Sequence, residues 1–296
     1  MNNLYEETNF IMKKYKIKAN KSLGQNFLIN EKVVENIVES AKISNEDVII
    51  EIGPGLGTLT QRLLEKAGKV IAIELDKKMI EILEERFSLY NNFEILNQDV
   101  LKVDLKTIIK KEKEQYKNVK VVANLHYYIT TPIVMKLLEE ELDIESITIM
   151  IQKEVAERLS AIPGNKNTGA ITYTVYYYAE TETIMEVPNN SFIPEPEVTS
   201  EVIKLNIRKK KPVNVKNKEV MFKIIKSAFM QRRKTLLNAL CNTKIFSSKE
   251  EGIEILNKLN LKENVRAEEL TLENFAQIEN EIEIIKKYLF FKNDMI

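Results

Sequence analysis

Four consecutive residues, Asn124-Leu125-His126-Tyr127, combine groups that can hold the exocyclic amine of a nucleobase. The Asn124 side-chain oxygen and the Leu125 carbonyl can each accept an N–H bond from such an amine, and the Tyr127 ring can stack on the base. The segment follows an apolar run at residues 119–123 that is typical of a β-strand. These residue types therefore predict chemistry on a base nitrogen once the base has left its stack.

Polar residues follow each of the first four predicted strands, at Glu51, Glu74, Asp99 and Asn124. They recur once per βα unit. In an open parallel sheet the carboxyl ends of the strands line one crevice, and ligands bind there. A single acidic residue after a strand could be an ordinary cap, whereas four in succession predict a binding site.

The first of these strands leads into a glycine loop with Gly53, Gly55 and Gly57. Such a loop lets the backbone approach a ligand closely, although a glycine turn with ordinary caps would look similar. The dinucleotide fingerprint places its third glycine one residue later, where this chain has Thr58, and a phosphate-binding loop would need a lysine. The spacing favours an adenosyl ligand without phosphates.

The acidic residues further along the crevice suit the same ligand. Glu74 lies where a carboxylate can accept from both ribose hydroxyls. Asp99 can accept from an adenine amine while the Val100 N–H donates to the ring. S-adenosyl-L-methionine fits these groups, because an acidic crevice favours its sulfonium cation.

Composition restricts the classes of protein that remain possible. The 296 residues suit one large domain, or one medium and one small. The 44 basic and 44 acidic residues cancel, so only local clusters could mark a nucleic-acid surface. The single cysteine, Cys241, excludes a disulfide framework and fits a reducing, cytoplasmic location. We expect no signal peptide, no membrane span and no metal site.

Apolar runs alternate with helical patterns through the first two thirds of the chain. This alternation predicts a parallel sheet covered on both faces. We expect Asn30 and Asp76 to cap helices and Pro132 to lie in a first helical turn. The predicted strands are 48–52, 70–73, 93–96, 119–123, 147–151, 183–187 and 201–206, and the predicted helices between them are 58–67, 77–89, 105–116, 132–142 and 153–161.

The pattern changes after the basic run at residues 208–211. Beyond it the periodicity is helical at 219–230, 234–240, 249–259 and 272–289, with no convincing strand. We therefore predict an α/β catalytic domain at 1–207, with a Rossmann-like, mostly parallel seven-stranded sheet. A smaller all-helical domain at 208–296 would bind RNA or the ribosome.

Several longer motifs make the chain resemble the small-subunit ribosomal RNA adenine dimethyltransferases, also called dimethyladenosine transferases. The resemblance runs from Ser22 to about Leu270. The motifs are SLGQNFL at 22–28, EIGPGLGTLT at 51–60, ELD at 74–76, QDV at 98–100, QKEV at 152–155, FIPEPEV at 192–198 and QRRKTL at 231–236.

The resemblance implies a class I methyltransferase fold and S-adenosyl-L-methionine as the cofactor. The activity it implies is N6,N6-dimethylation of two adjacent adenines in the 3′-terminal hairpin loop of 16S rRNA, within an immature small subunit. It also implies a monomer, and cofactor contacts from Asn26, Leu28 and Leu75. For the substrate, the resemblance implies that Phe192 covers the adenine, although Phe192 could instead be a buried loop anchor. It also implies RNA contacts from Arg232, Arg233 and Lys234.

Two residues depart from the family pattern. His126 stands where the family has proline in Asn-Leu-Pro-Tyr, and Thr168 precedes Gly169 where the family usually has tyrosine. Because proline restricts the residue before it, His126 could be a tolerated change or could weaken catalysis. A third interpretation, His126 as a catalytic base, is disfavoured because the family's chemistry proceeds with proline there. If His126 weakens catalysis, the protein could be an RNA-binding assembly factor. Two further alternatives are a large-subunit enzyme of the erythromycin-resistance type and, more distantly, a dinucleotide-dependent oxidoreductase.

Basic residues cluster in three places. One cluster comprises Lys13, Lys14, Lys16, Lys18 and Lys21, a second spans residues 208–211, and the third is Arg232-Arg233-Lys234. Each could contact phosphates or could simply be a solvated face.

Overall fold

The computed structural model describes residues 4–18, 25–231 and 233–293, with side chains up to Ile284. The chain divides into two compact units. The first comprises Met1–Ala156 and Glu180–Ile207, and the second comprises Glu157–Ala179 and Arg208–Ile296. No helix in the described ranges is long and apolar enough to cross a membrane.

The described residues contain nine strands, which form two sheets. The strands are β1 (Phe27–Leu28), β2 (Asp47–Ile52), β3 (Lys69–Glu74), β4 (Phe93–Asn97), β5 (Asn118–Asn124), β6 (Ser146–Gln152), β7 (Ala179–Val187), β8 (Phe192–Ile193) and β9 (Ser200–Ile207). Seven of them build one sheet in the order β4-β3-β2-β5-β6-β9-β7, while β1 and β8 pair separately. Strands β2 to β6 run parallel, and β9 is antiparallel to β6.

Helices connect the parallel strands. All six residues of β2 are buried, as expected for a central strand covered on both faces. The helices that begin in this unit are α1 (Leu4–Lys14), α2 (Glu31–Ser40), α3 (Thr58–Leu64), α4 (Lys77–Arg86), α5 (Leu105–Glu112), α6 (Thr130–Glu139) and α7 (Lys153–Ser160). The seven predicted strands of the main sheet all form, which confirms the predicted fold class.

The predicted caps are also present. Asn30 accepts from the Val33 N–H at 3.4 Å, and Asp76 accepts from the Lys78 N–H at 2.9 Å. Several predicted helices were too long at their carboxyl ends. The helix predicted for 105–116 ends at Glu112, because the chain then turns through hydrogen bonds from Glu114 and Gln115 back to Lys111 and Glu112.

In the second unit, the described part of residues 208–293 consists of helices joined by turns and loops and contains no strand. Its helices are α8 (Ala170–Tyr178), α9 (Lys218–Met230), α10 (Leu236–Asn242), α11 (Lys249–Lys258) and α12 (Leu272–Asn293). The boundary predicted at 207/208 had assigned residues 157–179 to the first domain, whereas the structure groups them with this unit. The reason is Tyr173, which is fully buried against Phe275 and donates to the Leu270 carbonyl at 2.6 Å.

Candidate active site

The glycine loop connects β2 to α3 at the carboxyl edge of the sheet. Gly57 has φ 84° and is the N-cap of α3, and a Cβ there would lie 2.6 Å from Phe87 and 2.8 Å from Leu83. Gly53 has φ 66°, but a Cβ there would meet nothing within 4 Å. Gly57 is therefore required by packing, whereas Gly53 leaves its backbone open to a ligand.

A cavity with about 570 Å³ of empty space opens beside this loop. The ends of β2, β3 and β5 form its floor, and the segment that contains β1 forms one side. We call it the first cavity. Its lining residues are Gln25, Asn26, Phe27, Leu28, Glu51, Gly53, Pro54, Gly55, Leu56, Thr58, Leu59, Glu74, Met79, Asn124 and His126.

Glu74 is held in place by backbone donors. Its Oε1 accepts from the N–H groups of Leu75 at 2.8 Å and Asp76 at 2.9 Å, and its Oε2 accepts from Gly55 at 3.3 Å. Burial raises the pKa of the Glu74 carboxyl, and these three donors oppose the shift. The carboxylate is thus oriented into the cavity before any ligand arrives.

Glu51 lies deeper and is only 1% exposed. Burial raises the pKa of its carboxyl to about 8, and the nearby charge of Glu74 acts in the same direction. Its Oε2 atom has no hydrogen-bond partner among the described residues. A buried, unpaired oxygen in a cavity wall fits a cationic ligand group, because such a group would compensate its desolvation.

The segment at residues 124–127 forms a turn after β5. The Leu125 N–H donates to the Met150 carbonyl at 3.1 Å, and the His126 carbonyl accepts from the Ile129 N–H at 3.1 Å and from the Thr130 hydroxyl at 3.2 Å. Neighbouring strand and helix residues therefore hold this turn. That geometry supports the interpretation of His126 as a tolerated replacement of proline.

A second cavity, with about 670 Å³ of empty space, lies on the other side of this turn. The Tyr127 hydroxyl lies 2.7 Å from the Ser200 hydroxyl at its wall. Asn26 lines both cavities. The second cavity is lined by Asn26, Tyr127, Gln152, Pro194, Glu195, Pro196, Glu197 and Val198. A base in the second cavity and a cofactor in the first would thus meet at one turn.

The structure brings most, but not all, of the predicted cofactor residues together. Asn26, Leu28, Gly53, Gly55, Glu74 and Asn124 line the first cavity. Gly57 shapes the glycine loop from outside the cavity lining, and the N–H of the exposed Leu75 donates to Glu74. Asp99 accepts from the Leu101 N–H at 3.0 Å and, with the buried Val100, lies outside the cavity lining, so their roles stay predictions.

The sequence did not assign Met79 or Gln152 to the site. Met79 lies on α4, and its apolar side chain gives no chemical signal in the sequence. Glu51 was predicted as one of the polar strand ends that form the crevice, and the structure places it in the lining of the first cavity. Gln152 lies in the recognised motif at 152–155, and the parallel pairing of β5 with β6 brings it near Tyr127.

Phe192 lies away from both cavity linings. It is 2% exposed, belongs to the hydrophobic core and pairs with Leu28 in the small sheet. This placement favours the alternative reading of Phe192 as a buried loop anchor.

The basic clusters differ in what they contact. Lys14 pairs with Glu85 at 2.7 Å, whereas Lys21 lies outside the described residues. In the second cluster, Arg208 donates to the Tyr176 carbonyl and Lys211 lies over the Tyr178 ring, so both stabilise the helical unit. For the third cluster, Arg232 lies outside the described residues.

Arg233 and Lys234 of that cluster are exposed in the turn between α9 and α10. The helix predicted from residue 234 begins instead at Leu236, because Thr235 is its N-cap and accepts from the Asn238 N–H at 3.4 Å. The two cations are therefore presented on a turn rather than along a helix.

The mostly parallel sheet, the open glycine loop and the acidic first cavity define a class I methyltransferase. The cavity fits S-adenosyl-L-methionine, since Gly53 leaves room for close approach and Glu51 and Glu74 place carboxyl groups beside it. The model of the family "Ribosomal RNA adenine dimethylase" matches residues 16–283. The chain therefore belongs to this family of S-adenosyl-L-methionine-dependent enzymes.

Similar proteins agree with this assignment. The chain is 50% identical to a Ribosomal RNA small subunit methyltransferase A of Alkaliphilus metalliredigens, over 93% of this chain and 96% of that protein. It is 44% identical to the protein of the same name from Bacillus pumilus, over 96% and 97% of the two chains.

Solved structures show the same architecture. The crystal structure of a dimethyladenosine transferase from Plasmodium falciparum is similar at a TM-score of 0.73 and 26% identity, over 87% of this chain and 98% of that one. The 23S rRNA methyltransferase ErmE shares the fold at a TM-score of 0.67 and 22% identity, over 87% and 100%.

Proposed function

We propose that this protein transfers methyl groups from S-adenosyl-L-methionine to the N6 atoms of two adjacent adenines in the 3′-terminal hairpin loop of 16S rRNA. The observation that carries the proposal is the single turn whose Asn124 lines the first cavity and whose Tyr127 lines the second. The family and the relatives named small subunit methyltransferase A support this choice of RNA. They do not favour a large-subunit enzyme or an oxidoreductase.

The first cavity holds the cofactor in this proposal. Gly53 and Gly55 let the backbone approach it, Glu74 accepts from the ribose, and Glu51 faces its cationic end. When bound, S-adenosyl-L-methionine supplies an electrophilic methyl group. The residues of the chain then act by orienting the adenine amine toward that cavity.

An adenine amine is a weak nucleophile because its lone pair is delocalised into the ring. Asn124 Oδ1 and the Leu125 carbonyl would each accept one N–H, which favours a pyramidal nitrogen and directs its lone pair toward the first cavity. Tyr127 would stack on the base in the second cavity. No strong base is required, since the proton can leave after the nitrogen has become cationic. Most of the acceleration therefore comes from positioning.

The RNA partner and its context are also part of the proposal. The exposed Arg233 and Lys234, together with Arg232, would contact phosphates from the helical unit, and a neutral protein with such local patches would bind RNA in a salt-sensitive way. We further propose that the substrate is the immature small ribosomal subunit, that the enzyme acts as a monomer, and that it works in the cytoplasm.

The experiment that tests this function measures transfer of labelled methyl groups to undermethylated small subunits, with large subunits as the matched control. We expect incorporation only into the small subunits, approaching two methyl groups on each of two adenines. Asn124→Ala should abolish incorporation while leaving cofactor-induced thermal stabilisation detectable. Incorporation into the large subunit alone, or none with the unaltered protein, would contradict the proposal.

A further inference from the structure

The Tyr127 ring is tied to a distant part of the chain. Its hydroxyl lies 2.7 Å from the hydroxyl of Ser200, 73 residues away in sequence. Ser200 is the first residue of β9, is fully buried and pairs with Gln152, the last residue of β6. The contact therefore fixes one wall of the second cavity to the rigid end of the sheet.

A hydrogen bond to the hydroxyl of a tyrosine restricts where the far end of the ring can lie, whereas rotation of the ring about its own axis leaves the hydroxyl oxygen in place. The ring of Tyr127 is half-buried, and burial raises the pKa of its hydroxyl, which therefore stays protonated at neutral pH. Two protonated hydroxyls can share one hydrogen bond in either direction. With this bond present, the position of the far end of the Tyr127 ring is set by β9 as well as by the turn after β5.

The position of the Tyr127 ring matters more for the second methyl transfer than for the first. An unmodified adenine amine offers two N–H groups to the two acceptors, Asn124 Oδ1 and the Leu125 carbonyl. After the first transfer only one N–H remains, so one of the two orienting hydrogen bonds is lost. Stacking on Tyr127 must then supply a larger share of the orientation.

We propose that Ser200 is a positioning residue that holds the Tyr127 ring in the position needed to retain the monomethylated adenine for the second methyl transfer. This inference rests on the proposed function. It predicts that loss of the Ser200 hydroxyl changes the ratio of products, and not merely the overall rate.

The test compares Ser200→Ala, Tyr127→Phe and the double variant on undermethylated small subunits, and measures N6-monomethyl- and N6,N6-dimethyladenosine after nuclease digestion. Losing one hydrogen bond corresponds to about a two- to twelvefold effect. We therefore expect both single variants to raise the mono- to dimethyl ratio by that factor. The double variant should match Tyr127→Phe, because both substitutions remove the same bond.

Ser146→Ala is the matched control. Ser146 is 1% exposed at the opposite end of β6, and its hydroxyl has no partner among the described residues, so its loss should leave the ratio unchanged. If Ser200→Ala does not fold, Tyr127→Phe carries the test, since it removes the same bond and keeps the ring.

The possible failures are distinguishable. An unaltered product ratio in both single variants, or additive effects in the double variant, would overturn the role of Ser200 while leaving the methyltransferase assignment intact. If the unaltered protein transfers no methyl group to small subunits, the proposed function fails and the inference about Ser200 fails with it.

Discussion

Glu51 makes the stability of this protein depend on pH in a direction opposite to that of a paired surface carboxylate. Burial raises the pKa of its carboxyl from 4.5 to about 8. Between these values the folded protein keeps a proton that the unfolded chain has released. Since the folded state binds more protons there, the free energy of unfolding falls as pH rises from about 4.5 to about 8.

The magnitude follows from the difference between the two pKa values, which is about 3.5. At 1.36 kcal/mol for each pKa unit, ionisation of Glu51 makes the free energy of unfolding about 5 kcal/mol lower above pH 8 than below pH 4.5. Glu51→Gln keeps the shape of the side chain but has no proton to lose. The variant should therefore be more stable than the unaltered protein at pH 8 by up to that amount.

Chemical denaturation at several pH values between 4.5 and 8 measures this effect. The quantity to follow is the difference in unfolding free energy between the Glu51→Gln variant and the unaltered protein, which should grow with pH. Glu35→Gln is the matched control, because Glu35 is exposed on α2 and its difference should stay flat. A flat difference for Glu51→Gln as well would refute the reasoning from burial.

Three further predictions concern the sheet, the glycine loop and the turn. In the folded protein the Lys120 ammonium lies 2.9 Å from the buried Asp47 carboxylate. Lys120→Met should lower the free energy of unfolding by about 3–5 kcal/mol, because it leaves Asp47 without its charge partner. Gly57→Ala should lower the free energy of unfolding by about 2–4 kcal/mol in the same denaturation assay, because the strain of a positive φ adds to the clash of the new Cβ with Phe87. Gly53→Ala should lower it by only about 1–2 kcal/mol, because only the positive φ opposes it. His126→Pro should leave the methyl-transfer rate within about twofold, because hydrogen bonds from Ile129 and Thr130 already hold the turn; a larger increase would mean that His126 loosens it.

The parallel part of the sheet could be predicted because its strands are short and mostly apolar, as in β2, whose six residues are all buried. Helix α8 could not be predicted from the sequence, because its residues 170–178 are mostly aromatic and β-branched and have low helix propensity. Burial of Tyr173 within the helical unit stabilises this helix despite its local preference. For the same reason, the compact units of the structure differ from the boundary predicted at residue 207 in where they place residues 157–179.

The two cavities differ in how much of each could be read from sequence, and the difference has a physical cause. The first cavity is built from strand ends and the loops that directly follow them, so short motifs contain most of its wall. The second cavity is assembled from residues far apart in the chain, among them Asn26, Tyr127 and Gln152. The parallel pairing of β5 with β6 brings Gln152 near Tyr127, and the antiparallel register of β6 with β9 puts Ser200 opposite Gln152 and within reach of Tyr127. Motifs alone do not encode that register, because it is set by how two distant strands pair. Most residues that line the first cavity were therefore visible in the sequence, while the residue that we propose to control the second methyl transfer became visible only in the fold.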